Sequence, residues 1–205
     1  MEYNFFNPND EIVIKQGKLP HWTQKEVWYF ITFRLADSIP QEKLEQLKFE
    51  REDWLRDHKK EKREDYSEEE LKEYYQLFSE RVEKWLNAGY GDCVLKEETN
   101  AKIIAEALKY FDGVRYQLDE WVVMPNHVHI IGKPINCYEL SDIIHSWKSY
   151  TANIINELIG KTGQLWMHET YDHIVRSEEA FEAIKNYIIQ NPQKANIRVH
   201  QASWK

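Results

Sequence analysis

The sequence predicts an α+β protein, a ferredoxin-like βαββαβ antiparallel sheet with a C-terminal helix and a helical insertion after the first strand. Three observations predict it. Four runs of strand length are rich in β-branched and aromatic residues, at Val27–Leu35, Tyr116–Val123, His127–Gly132 and Tyr171–Val175. Segments with helical spacing of apolar residues separate or follow them. Residues 41–87 interrupt this order with a block dense in Glu, Lys, Arg and Leu.

In chain order, Val27–Leu35 (VWYFITFRL) is the first strand, closed by Ile39-Pro40. Residues 41–87 read as two charged helices broken near Asp65-Tyr66-Ser67, with Ser67 and Glu70 spaced as a capping box. The simplest role for this block is a solvated helical hairpin. Residues 87–91 form a turn. Thr99 or Asn100 then caps a helix carrying Ile103, Ile104, Ala107, Leu108 and Phe111, which Asp112-Gly113 stops. Two strands follow, joined by Met124-Pro125-Asn126. A long helix runs over about 139–158 and ends before Gly160. After the short strand at 171–175, Ser177 caps a final helix that reaches Gln190, where Pro192 disfavours its continuation. The chain is read as one domain, 1–205, with 41–87 inserted in it.

The chain carries a net charge of −8, which argues at first against a nucleic-acid partner. Its distribution weakens that objection. Residues 41–87 hold eleven basic and fifteen acidic residues, a balance of −4, whereas residues 113–205 hold nine and ten, a balance of −1. No signal-like apolar stretch follows Met1, and no apolar run approaches the length of a membrane span. Cys93 and Cys137 lie far apart without C-x-x-C spacing and read as free thiols in a reducing compartment. A cytoplasmic protein with no membrane partner is expected.

The chemistry concentrates at Pro125-Asn126-His127-Val128-His129. Residues i and i+2 of a strand share a face, so His127 and His129 present two imidazoles side by side while Val128 points into a core. Two such imidazoles are half of a divalent-metal site. Binding there should weaken below about pH 6, because a coordinating imidazole must be neutral. A lone H-x-H also arises by chance or in ordinary polar contacts. The second signal is Tyr187-Ile188-Ile189-Gln190-Asn191-Pro192. Tyr187 and Asn191, four apart, share a helix face if the helix persists that far. They could supply a nucleophile and a third ligand; alternatively Tyr187 packs with Phe181, Ile184 and Ile188, and Asn191 is a polar helix end. Tyr150 is a rival nucleophile. Trp147, Lys148, Trp166 and Arg176 are candidate DNA contacts, through stacking on bases or pairing with phosphates, with core packing the simpler role for each Trp. His173 is a site residue or a plain strand histidine.

Together these segments resemble a known family. Trp121–His129 (WVVMPNHVH) looks like the HUH motif of single-tyrosine transposases. Leu165-Trp166, Tyr171–Arg176 (YDHIVR) and Tyr187–Ala195 (YIIQNPQKA) look like the branch of REP-associated tyrosine transposases. The resemblance spans about residues 20–198 without the insertion. It implies a metal-dependent single-strand DNA endonuclease and strand transferase acting on hairpin or palindromic repeat DNA. It further implies that His127, His129 and Asn191 ligate Mg²⁺ or Mn²⁺, and that Tyr187 attacks a phosphodiester to form a 5′-phosphotyrosine link. Two other functions remain open from the sequence: a catalytically quiet regulator that binds DNA hairpins, and a hydrolytic metalloenzyme with a small substrate. The general base, the target DNA and the choice between monomer and homodimer stay undetermined.

Overall fold

A computed structural model of the chain describes residues 5–16, 20–58 and 66–195. The chain divides into two compact units, residues 1–36 with 93–205, and residues 37–92.

The first unit is built on a four-stranded antiparallel sheet of β3 (Tyr29–Arg34), β4 (Tyr116–Val123), β5 (His127–Pro134) and β6 (Tyr171–Ile174), in the spatial order β4-β5-β3-β6. With α4 (Glu98–Tyr110) and α5 (Leu140–Ile159) as the two crossovers, this is the ferredoxin-like order expected from the sequence. A short hairpin of β1 (Val13–Gln16) and β2 (Pro20–Thr23) precedes it and was not anticipated.

Period-two alternation divides the sheet into two faces. Tyr29, Ile31 and Phe33 of β3, Val128 and Ile130 of β5, and Trp121 and Val123 of β4 pack with Ile104 and Leu108 of α4 and Ile143, Trp147 and Ile155 of α5. The opposite face carries Phe30, Val122, Met124 and Ile131, and is covered by Phe181 and Ile188 of α6 (Glu178–Lys194). β4 keeps both its ends in phase only because of a bulge: Leu118 pairs with Gly132 but Trp121 with Ile130, so β4 spends one extra residue there.

Helix ends follow side-chain chemistry. The Ser177 hydroxyl accepts from the Ala180 amide at 3.2 Å, the cap expected for α6. At the far end the structure corrects the expectation that α6 stops at Gln190. Pro192 lies in the last turn, where its missing N–H removes one backbone bond; it is buried, and the Ala195 amide still reaches the Asn191 carbonyl at 3.0 Å. The α4 cap is also corrected. The helix starts at Glu98, and Asn100 sits buried in its first turn, donating from Nδ2 to the Val94 carbonyl at 2.8 Å.

The second unit contains α1 (Gln41–His58), α2 (Glu68–Tyr74), a π-helical turn at Tyr75–Ser79 and α3 (Glu80–Asn87). The expected capping box is present: the Ser67 amide donates to Glu70 Oε2 at 2.6 Å, and the Glu70 amide to Ser67 Oγ at 3.2 Å. Asp65, part of the expected helix break, lies outside the described residues. Buried Trp54 is the hub of the unit, with its ring 3.8 Å from His58 and 5.1 Å from Tyr74 between centroids. An ion pair of 2.6 Å joins Arg81 to Glu50. Gly91 is required here: its φ is +83°, and a Cβ would stand 2.6 Å from the Asp37 carbonyl oxygen.

Candidate metal and tyrosine site

β5 begins at His127, directly after the turn at Pro125-Asn126, and both histidines fall on the face covered by α6. His127 is 1% exposed and His129 2%. Their Nε2 atoms converge to 3.1 Å. The orientation of each ring is held from its other nitrogen. Asn126 Oδ1 lies 2.8 Å from His127 Nδ1. An amide oxygen only accepts, so Nδ1 carries the proton and His127 Nε2 presents a lone pair. Thr32 Oγ1, from the neighbouring strand, lies 2.7 Å from His129 Nδ1. When the hydroxyl accepts from that nitrogen, both Nε2 lone pairs face one space.

Burial keeps both rings neutral. Desolvation lowers the pKa of His127 from 6.5 to about 3. It also holds His129 well below the usual imidazole value, helped by the neighbouring His127. Both rings are thereby held in the neutral form that can ligate an ion.

α6 brings the second half of the site. Phe181 and Ile188 anchor the helix on the sheet, and the Tyr187 hydroxyl lies 3.3 Å from His129 Nε2. The Tyr187 ring also meets Phe30 edge-on at 6.0 Å. Because α6 continues through Pro192, Asn191 stays one turn beyond Tyr187. It is fully buried, and among the described residues neither its Oδ1 nor its Nδ2 has a hydrogen-bond partner. An unpartnered buried amide costs about 1–3 kcal/mol, and a cation would relieve that cost. The residues therefore fit a divalent ion: two neutral imidazoles with converging lone pairs and an amide oxygen without a partner. Among the described residues no three His, Cys, Asp or Glu cluster to hold a metal. The set is carboxylate-free, so an ion held by it keeps its full positive charge.

The other sequence candidates are placed differently. Tyr150 is 55% exposed on α5, whose apolar side packs on the opposite face of the sheet. Trp147 and Trp166 are 3% and 4% exposed. Their indole N–H groups donate to Tyr116 Oη and Thr151 Oγ1, both at 2.9 Å. Both rings take the core-packing role, the simpler of the two readings of the sequence. Lys148 donates to the carbonyls of Met167 and His168, each at 2.8 Å, and to Thr170 Oγ1 at 3.2 Å. Burial lowers its pKa. It holds the loop before β6 and does not extend as a free phosphate contact. Arg176 is exposed and stacks its guanidinium over Phe6 at 5.4 Å. His173 pairs with Phe30 across the strands, its ring edge-on to Phe30 at 5.4 Å. Asn126 and Thr32, which orient the histidines, were not singled out from the sequence. The signal for Thr32 was present, since Thr32 and Arg34 are the polar residues at period two in an otherwise apolar strand.

Comparison with known proteins decides the family. The sequence model described as "Transposase IS200 like" matches residues 89–191, half of the chain. This protein belongs to the IS200-like transposase family. It is accordingly an enzyme of the class that nicks and joins DNA. The matched stretch contains His127, His129, Tyr187 and Asn191. Two solved structures are similar at lower level. One is a REP-associated tyrosine transposase bound to a REP hairpin, 15% identical, covering 87% of this chain and 74% of its own, with a TM-score of 0.49. The other, from Deinococcus radiodurans R1 and described as a transposase, is 15% identical, covers 82% and 93%, and has a TM-score of 0.33. No curated protein matches the chain. Among the described residues no helix is long and apolar enough to cross a membrane.

Proposed function

We propose that this transposase is a metal-dependent, single-strand DNA endonuclease and strand transferase of the cytoplasm that uses Tyr187 as its nucleophile on hairpin or palindromic repeat DNA. The observation that carries the reading is the Tyr187 hydroxyl 3.3 Å from His129 Nε2, where the two imidazole Nε2 atoms converge. His127, His129 and the Asn191 side-chain oxygen would hold Mg²⁺ or Mn²⁺. Such an ion polarises a phosphate oxygen and offsets charge in the transition state.

The chain's own groups account for the rest. Tyr187 Oη attacks phosphorus, losing its proton as the new O–P bond forms. The P–O3′ bond breaks, and the leaving oxygen takes up a proton to become a free 3′-OH. The 5′-phosphotyrosine retains the energy of the diester, so attack by a 3′-OH in the reverse sense rejoins strands without an external energy source. α6 holds Tyr187 in register with the histidines through Phe181 and Ile188, and the orientation is prepaid by folding.

The test is the covalent adduct. Incubated with a pool of single-stranded hairpin DNAs and Mn²⁺, the wild type should give a denaturation-resistant protein–DNA species. Tyr187→Phe, which keeps the ring and its packing, should retain DNA affinity and abolish that species. Tyr150→Phe should leave it largely intact. Loss of the adduct in Tyr150→Phe alone would reassign the nucleophile, and cleavage indifferent to both changes would mean a water nucleophile.

A further inference from the structure

We infer that Lys194 is a phosphate-binding residue of this site, the cation that takes a charged oxygen of the diester as phosphorus comes up to the Tyr187 hydroxyl. The inference rests on the reading of Tyr187 as nucleophile on a phosphodiester, and it adds a residue to which that reading gives no part. Tyr187, Asn191 and Lys194 stand at i, i+4 and i+7, so one face of α6 carries all three. That phase survives Pro192, because the helix runs on to Lys194. Side chains on a helix lean back towards its N-terminus, and Lys194 follows the rule. Its Nζ stands over the Tyr187 ring, 5.3 Å from the centroid. The same ring meets Phe30 edge-on at 6.0 Å and His129 at 5.3 Å. The ammonium is held at the nucleophile, and the nucleophile at the histidine pair.

Helix-end electrostatics alone favour a lysine in a last turn, but they do not turn it over the ring of the reacting side chain. The two lysines of α6 differ in what they hold. Lys185 is committed to Asp119, at 2.9 Å. Lys194 is exposed, and among the described residues no carboxylate pairs with it. Attack brings phosphorus to roughly 3–3.5 Å from the tyrosine oxygen, so the phosphate and the ammonium become neighbours of one ring. A change of rotamer in the four-carbon stem closes the remaining gap, and lysine meets phosphate as a point charge. The ligands His127, His129 and Asn191 are neutral, so Lys194 adds its charge to that of the ion. In a chain of net charge −8, attraction for DNA has to be local, and Lys194 supplies it at the reacting oxygen.

The dinucleotide dTpdT, which has a single diester, and its uncharged methylphosphonate analogue test this with the Mn²⁺-loaded protein. Broadening of the ³¹P resonance by Mn²⁺ reports binding at the metal. Lys194→Gln should weaken dTpdT by about three- to tenfold, the loss of one charge-assisted contact. It should leave the methylphosphonate and the Mn²⁺ affinity unchanged. Lys194→Arg, which keeps the charge, should stay close to wild type on both dinucleotides. Equal affinity of Lys194→Gln and wild type for dTpdT would overturn the inference. So would equal losses on both dinucleotides, the result of a lysine that only packs on Tyr187. No broadening with wild type at millimolar dTpdT would overturn it together with the reading of a phosphate at the metal. None of these readouts needs the Tyr187 hydroxyl, so failure of Lys194 is distinct from failure of the tyrosine mechanism, which the covalent adduct reports.

Discussion

Acid should destabilise the ion-free protein through the buried histidine pair, by an amount the structure sets. Once the chain unfolds, His127 takes up a proton near pH 6.5; in the native state burial defers this to about pH 3. Between those values the unfolded chain binds a proton that the folded protein refuses, so stability falls as the pH falls. The histidine's contribution is intact above about 6.5, and each pH unit below that costs about 1.4 kcal/mol until the folded value is reached. At pH 5 the loss from His127 is therefore about 2 kcal/mol. His129, shifted in the same direction, adds to it. Urea denaturation in EDTA at pH 7 and pH 5 measures the effect, with His127→Gln as the control because glutamine does not titrate. Carboxylates elsewhere act equally in both proteins. Wild type should lose about 2 kcal/mol more than the variant over this range. Equal losses would show that His127 is not held neutral by burial.

Three further outcomes are expected. The His127→Ala/His129→Ala double variant should lose Mn²⁺ binding in calorimetry, whereas wild type should keep most of its affinity to pH values below 6, as far as its fold persists. Asn126→Ala frees the His127 ring to rotate and change tautomer, and should lower Mn²⁺ affinity by about 10–100-fold; unchanged affinity would remove Asn126 from the site. Lys148→Met abandons the carbonyls of Met167 and His168, and should cost about 1–3 kcal/mol in urea denaturation, with DNA affinity changed only as far as the loop before β6 moves.

Much of this architecture is legible in the sequence because it follows two simple periods. Alternation in VWYFITFRL and in HVHI places β3, β5 and both histidines, and helical spacing places α4, α5 and α6. The H-x-H pair is readable because only the strand period puts two imidazoles on one face. What the sequence hides depends on partners distant in the chain. Trp147 and Trp166 allow two readings, core or stacking ring, until Tyr116 and Thr151 are seen to take their N–H groups. Lys148 looks free until the loop at 167–170 folds over it. Local rules mislead at Pro192, where tertiary burial and a position in the last turn let α6 continue and keep Asn191 in register with Tyr187. The bulge in β4 and the hairpin of β1 and β2 leave no pattern, since each is set by pairing with another strand.

The central claim is that DNA becomes bonded to Tyr187 at the histidine pair. Its most direct measurement is peptide mapping by mass spectrometry of the Mn²⁺-dependent protein–DNA species after nuclease trimming. The account predicts a nucleotide phosphate on the α6 peptide at Tyr187, absent when His127 and His129 are replaced. A nucleotide on the α5 peptide at Tyr150, or cleaved DNA with a free 5′-phosphate and no modified peptide, would contradict it.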